Sequence, residues 1–197
     1  LLSVLEQGMI YGILALGVYI TYKILDFPDL TVDGSFPFGA AITVRLINGF
    51  GVPAILTLPI AFLGGALVGI CTGLIHVKLK VRDLLSGIIM MTGLYTINLW
   101  VAGSGYVAIF DKENIFNNSF VNSITPGFLV NFKNVIIIFL ITMVAKYLLD
   151  WYMSTKSGFL LRAVGDNDTI VTSLGVDKGL VKIVGLSIAN GLVSLSG

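Results

Sequence analysis

Three aspartates within eight residues form the densest acidic group of the chain, and they separate two apolar runs: Asp26, Asp29 and Asp33. An ionisable residue at membrane depth is costly, and such residues commonly serve transport. With Thr31 and Ser35, Asp33 could cap a discontinuous helix whose positive end faces a substrate carboxylate. The other interpretation is a capped loop at the membrane surface. The residue types alone leave both open.

A serine between two glycines and the single histidine raise the hypothesis of an intramembrane protease. Ser104 follows the outer end of the apolar run 84–101, whereas His76 precedes its inner end. About eighteen helical residues at roughly 1.5 Å each would place them roughly 27 Å apart. A nucleophile and its base must lie within hydrogen-bond distance, so the spacing argues against this enzyme class.

Two further polar residues, Tyr95 and Asn98, lie inside the run 84–101. They could line a pathway or form hydrogen bonds to neighbouring helices. The sequence contains no Gly-x4-Gly-Lys-Ser/Thr phosphate loop, so we do not expect this chain to bind ATP. Cys71 is the only cysteine, which excludes an internal disulfide and a cysteine metal cluster. We therefore expect no cofactor on this chain.

The composition is that of a membrane protein. Of 197 residues, 56% are hydrophobic and 12% are charged, whereas soluble domains carry about a quarter charged residues. A spanning helix needs about 20 mostly apolar residues. The runs that meet this requirement are 1–22, 52–77, 84–101, 134–152 and 181–197. Segment 35–50 is a weaker candidate because it is short and carries Arg45. We predict an all-α polytopic fold with about five to six transmembrane helices.

The basic residues indicate the orientation of these helices. Eight of the twelve Lys and Arg lie in 77–83 and 146–182, two spans apart. Basic loops face the cytoplasm, and no basic tract indicates nucleic acid. Segment 102–133 is then an external loop and 153–180 a cytoplasmic one. If 35–50 spans the membrane, the first residue lies outside.

Segment 153–180 carries the start and stop signals of short helices. A first helix over 158–164 is expected to end at Gly165, and a second over 169–174 to end at Gly175. Short polar side chains are positioned to cap the second helix or the next span: Asn167, Asp168 and Asp177. The pattern alone fits a short docking helix or a plain connector.

This segment resembles the cytoplasmic coupling loop of ABC importer permeases of the branched-chain amino-acid and ribose type. The motif reads Ser157-Gly158-x3-Arg162-Ala163-x-Gly165-x-Asn167, then Leu174-Gly175-Val176-Asp177. Where many relatives carry paired alanines before Leu-Gly, this chain has Val171-Thr172-Ser173, which leaves the partner's identity open. The resemblance implies the following ATPase-coupling residues: Gly158, Arg162, Ala163, Gly165, Asn167, Leu174 and Gly175.

A second motif resembles one subgroup of these permeases, associated with aromatic amino acids or unassigned substrates. It reads Gly17-Val18-Tyr19-x-Thr21, then Asp26-Phe27-Pro28-Asp29-Leu30-Thr31-Val32-Asp33-Gly34-Ser35-Phe36, then Gly39-Ala40-Ala41. The residues interpreted as candidates for the substrate pathway are Thr31, Asp33, Ser35, Tyr95 and Asn98. The two motifs together cover nearly the whole chain.

The resemblance implies a division of labour. Residues 1–197 are expected to form one permease domain, truncated at its carboxyl end, in a bacterial cell membrane. The domain would carry an amino acid or a similar small polar solute. Its expected partners are a separate ATPase that binds ATP and Mg²⁺, an external substrate-binding protein and a second permease subunit, giving a homodimer. The alternative is a secondary transporter or channel without an ATPase, which would not explain the docking-like segment.

Overall fold

The structure is a computed structural model that describes residues 2–103, 132–173 and 175–197. These residues form helices connected by short turns. The helices are α1 (Leu2–Tyr19), α2 (Val32–Phe50), α3 (Ala54–Lys78), α4 (Asp83–Ala102), α5 (Lys133–Met153), α6 (Lys156–Asp166), α7 (Asp168–Ser173) and α8 (Lys178–Ser196). A π-helical turn, Ile20–Ile24, extends α1. Within the described ranges, five helices are long and apolar enough to cross a membrane. The predicted all-α polytopic fold is confirmed.

These five spans coincide with the predicted apolar runs: Leu2–Ile24, Ala54–Lys78, Asp83–Ala102, Lys133–Met153 and Lys178–Ser196. Most of the predicted external loop, 102–133, lies outside the described residues, as does Ser104 of the protease hypothesis. Cys71 is exposed on α3.

The weaker candidate, 35–50, belongs to α2, a continuous helix of 19 residues that begins at Val32. At its start Thr31 bonds to Thr72 of α3, and further along Ile42 packs against Gly64. The two helices therefore run antiparallel and are joined by the turn at Gly51, whose φ of 62° suits glycine. Helix α2 starts level with Thr72, before α3 reaches its end.

A stripe of glycines on α3 lies at the most extensive helix–helix contact in the described chain. Gly65 faces the backbone of Asn190, and Gly69 faces the backbone of Leu186 on α8. Small residues allow backbones to approach, and this is how helices gain packing energy in lipid. The four-residue spacing of these glycines on α3 therefore serves packing within the chain.

We expect Gly69→Val to lower the free energy of unfolding by about 3 kcal/mol, the upper part of the range for overpacking. The new side chain would collide with a backbone carbonyl, which has no rotamer to relax into. A side chain added at Gly8 of α1 would meet no heavy atom within 4 Å of its Cβ, so Gly8→Val is the matched control. Denaturant unfolding in detergent micelles measures both, and equal stability would contradict the assignment.

The carboxyl-terminal ends of α1 and α5 and the first half of α8 meet the surface helix α6 in one apolar cluster. Buried members from these four elements include Ile24, Leu149, Leu161 and Leu186. The end of α3 and the start of α8 lie together, since Gly73 contacts Ile183. The basic segments around these ends therefore share one face, as the charge pattern predicted.

Candidate functional site

Helix α6 is an amphipathic surface helix whose first turn is capped. Thr155 accepts a hydrogen bond from the backbone N–H of Gly158 through its hydroxyl, at 3.4 Å. Leu161 and Val164 are buried, whereas Arg162 on the opposite face is exposed. Such a helix buries its apolar face in the fold and exposes the opposite one.

Gly165 does not end this helix, so that part of the sequence-based prediction is wrong. Helix α6 continues through Gly165 to Asp166, and Asn167 adopts the extended backbone of a C-cap. A side chain at Gly165 would collide with the carbonyl oxygen of Ile24 and crowd Leu25. The glycine is required for the close approach of α6 to the carboxyl-terminal end of α1.

The second short helix, α7, has the predicted local features where the structure describes them. Asn167 Oδ1 accepts hydrogen bonds from the backbone N–H and hydroxyl of Thr169, at 3.1 and 2.6 Å. Gly175 has a φ of 75°, as expected after a helix. Asp177 Oδ1 accepts a backbone N–H of the first turn of α8 at 2.8 Å, which confirms that cap. Leu174 lies outside the described residues.

Beyond the π-helical turn, the chain leads from its contact with α6 into the bundle. Leu25 packs against the side of α8 at Gly185, where Leu161 of α6 also makes contact. The Phe27 N–H donates to Thr21 O at 2.9 Å, and the ring packs edge-on to His76 with centroids 5.0 Å apart. Residues 25–31, which we call the linker, thus connect the surface helix to the centre of the fold.

The linker ends in a buried polar network centred on Asp29. One carboxylate oxygen of Asp29 accepts the N–H of Thr31 at 2.8 Å, and the other accepts Asn190 Nδ2 at 2.8 Å. Asn190 Oδ1 in turn accepts the hydroxyl of Ser35 at 2.6 Å. These four residues are fully buried. Buried polar groups are tolerated only when hydrogen-bonded, and this network meets that requirement.

A hydroxyl pair links the network to α3. Thr31 Oγ1 lies 3.0 Å from Thr72 Oγ1, and Thr72 also donates to the carbonyl of Val68 at 3.1 Å. The network, defined as Asp29, Thr31, Ser35, Thr72 and Asn190, therefore joins α2, α3 and α8 through one non-helical segment.

The acidic motif is only partly used. Asp29 is fully buried, whereas Asp33 is exposed in the first turn of α2. The buried carboxylate of the motif is thus that of Asp29, and Asp33 does not take part in the network. Sequence reasoning missed Asn190 and Thr72, although a polar asparagine within the apolar run 181–197 was an available signal.

The two candidates on α4 differ from the network residues. Tyr95 is 69% exposed. Asn98 donates through Nδ2 to the carbonyl of Gly34 on α2 at 3.1 Å, while its Oδ1 is buried without a hydrogen-bond partner among the described residues. Asn98 therefore has a spare acceptor. The described part of the chain shows no cluster of three metal-ligating side chains.

Comparison with known proteins identifies similar chains. The family model described as "Branched-chain amino acid transport system / permease component" matches residues 1–197. The "Tyrosine transport system permease protein" of Clostridioides difficile is 42% identical over 100% of this chain and 62% of its own length. The "Probable branched-chain amino acid transport permease protein LivH" of Methanocaldococcus jannaschii is 26% identical, covering 98% and 64% of the two chains.

The "Ribose import permease protein RbsC" of Haemophilus influenzae is also 26% identical, over 100% of this chain and 59% of that relative. The chain thus spans about three fifths of the length of these relatives. No solved structure matches the chain significantly.

Proposed function

The chain belongs to the family of permease components of branched-chain amino acid transport systems, and we propose that it forms the membrane-crossing subunit of a bacterial ABC importer. It carries an amino acid or a similarly small polar solute across the cell membrane. A separate ATPase subunit binds ATP and Mg²⁺, an external binding protein delivers the solute, and a second permease subunit, an identical copy, completes the pathway.

The observation that carries this proposal is the contact between α6 and the inner end of α1. Gly165 lies against the carbonyl of Ile24, and Leu161 of α6 is fully buried beneath the helix. The opposite face presents Arg162 and Asn167, both exposed. An ATPase that bound this exposed face would therefore move the first span, because the buried face packs directly against its end.

The linker extends this contact to the network. Leu25 packs on α6 and α8, and four residues later Asp29 bonds to Asn190 of α8. A displacement of α6 therefore reaches α2, α3 and α8 through a short stretch of well-packed chain. ATP binding at the partner shifts the population between two such helix arrangements, and alternating access follows.

The pathway candidates fall into two groups. Thr31 and Ser35 are buried and hydrogen-bonded within the network. We therefore assign them to the transmission of movement between the helices rather than to the lining of the pathway. Tyr95 is exposed and Asn98 has an acceptor without a partner in the described chain. A pathway between two permease subunits would be lined by residues exposed in one subunit, which fits Tyr95. The buried Oδ1 of Asn98 would accept a hydrogen bond from a solute only after α2 and α4 move apart.

Because one relative is named a tyrosine transport permease, tyrosine is the first solute to test. We expect it to raise ATP hydrolysis several-fold when the full permease, its ATPase and its binding protein are reconstituted in proteoliposomes. A photo-crosslinking residue at Thr172, exposed on α7, should capture the ATPase. Thiol cross-linking is unsuitable because Cys71 is also exposed.

The matched control places the cross-linker at Phe50, which is 73% exposed at the far end of α2. Capture of the ATPase at Phe50 as efficiently as at Thr172 would contradict the orientation. Solute flux that persists with no ATPase present would instead establish a secondary transporter or channel.

A further inference from the structure

A basic cavity of about 540 Å³ lies at the cytoplasmic end of the helix bundle, between the α3–α4 turn and the start of α8. Its charged lining comprises Lys80, Arg82, Asp83, Asp177, Lys178 and Lys182. Four cations against two carboxylates leave an excess of two positive charges. The role of α6 and the buried network does not account for this cavity.

The two carboxylates are already used by the helices beside them. Asp83 accepts the N–H of Leu84 at 3.0 Å, and Asp177 accepts the N–H of Gly179 at 2.8 Å. Each therefore serves the first turn of its own helix. Both keep their negative charge, so the lining retains its excess of two positive charges.

The cations are placed where a helix disfavours them. Arg82 immediately precedes α4, and Lys178 and Lys182 lie in the first two turns of α8. Helix amino termini carry partial positive charge, so cations there are unfavourable. Lys178 and Lys182 are also spaced four residues apart, a like-charge pair that destabilises a helix. An anion in the cavity would offset all of these costs at once.

The α3–α4 turn is shaped in advance for such an anion. His76 Nδ1 lies 2.9 Å from the carbonyl oxygen of Val81, which fixes the turn against α3. Lys80 adopts a φ of 54°, an uncommon conformation for a residue other than glycine. The basic side chains of the turn thus project from a constrained backbone.

The margin of the cavity is apolar. Leu79 is 70% exposed, Leu84 47% and Leu180 60%. In sequence, Leu79 adjoins Lys80 and Leu84 adjoins Asp83, whereas Leu180 follows Gly179 of the lining. These leucines begin the apolar surface of the spans. We propose that the cavity binds the phosphate of an anionic phospholipid of the cytoplasmic leaflet, with the acyl chains along Leu180 and the span above it. Basic pockets between membrane helices on this side suit such head groups.

The proposal needs only the orientation given by the basic residues, so it stands apart from the ATPase-coupling role. We expect the full protein in phosphatidylcholine micelles to retain dioleoylphosphatidylglycerol in native mass spectrometry. Arg82→Gln and Lys182→Gln should each weaken retention about fivefold, and the double variant about 30-fold. Lys146→Gln, an exposed cation paired with Asp150 on α5, is the matched control and should retain the lipid unchanged.

Equal retention by the double variant and the Lys146 variant would overturn the proposal. Displacement of the lipid by a 10-fold excess of inorganic phosphate would also overturn the proposal. It would show that the cavity binds free phosphate about as tightly as the lipid, so that the acyl chains contribute nothing. Loss of ATPase association in the double variant, with lipid retention intact, would assign the cavity to the partner protein instead. A thermal unfolding scan of each variant without added lipid confirms that the fold is retained.

Discussion

Replacing Gly165 by alanine is expected to abolish solute-stimulated ATP hydrolysis while the chain still inserts and folds. The added methyl group would occupy the position of the Ile24 carbonyl oxygen. Since Ile24 is held in the π-helical turn, α6 has to move away from the end of α1. Overpacking costs about 1–3 kcal/mol, which lowers the population of the docked arrangement by about fivefold to about 150-fold.

The measurement is ATP hydrolysis with and without solute in proteoliposomes that contain the ATPase and the binding protein. Gly12→Ala is the matched control, since Gly12 lies in α1 and an added methyl group there would meet no heavy atom within 4 Å. Alanine also raises helix propensity at both positions by up to about 1 kcal/mol. Normal coupling in the Gly165 variant, with its insertion and thermal stability unchanged, would show that the α6–α1 contact does not transmit the signal.

Local sequence patterns predicted most of the fold because spans, helix starts and close helix contacts are determined by residues near one another in sequence. The apolar runs located the five spans, and the carboxylate of Asp177 indicated the start of α8. The four-residue spacing of Gly65, Gly69 and Gly73 is typical of close helix packing, and the structure places all three against α8. Each of these signals depends only on neighbours in sequence or on one helix face.

Gly165 shows where prediction from the local sequence pattern fails. Glycine occurs after helices because it adopts positive φ, and it occurs within helices where another backbone comes close. Gly175 is the first case, with a φ of 75°, and Gly165 is the second. Only the position of Ile24, far away in sequence, distinguishes the two.

The network could not be assembled from the sequence for the same reason. Asp29 and Asn190 are 161 residues apart, and without the fold nothing selects Asn190 over other polar residues in the spans. The acidic motif directed attention to Asp33, since it stands next to the helix start. Burial depends on tertiary packing: the linker places Asp29 against α8, whereas Asp33 lies on an exposed face of α2.

The contact between α6 and α1 and the network around Asp29 both depend on one short stretch of chain. The π-helical turn ends against α6, and the linker that follows it ends in the network within seven residues. A π-helical turn is less stable than an α-helix and is often found at functional positions. Because α6 contacts this turn rather than a regular helix, we expect a small shift of α6 to change the turn before it changes the spans.

The second large effect is expected for Asn190→Leu, which keeps the size of the side chain and removes its hydrogen bonds. The Asp29 carboxylate would lose a donor and the Ser35 hydroxyl its 2.6 Å acceptor. A hydrogen bond to a charged group contributes about 1.5–3 kcal/mol, so the free energy of unfolding in micelles should fall by about that amount. Solute-stimulated hydrolysis should fall with it, because the linker is released from α8.

Ser194→Ala is the matched control one turn along the helix. It removes a single bond to the Ala61 carbonyl, and such bonds between membrane helices average about 0.6 kcal/mol. Equal losses of stability in the two variants would contradict this prediction. They would show that the bond between Asn190 and Asp29 contributes no more than the single Ser194 bond, and that the network does not hold the linker in place.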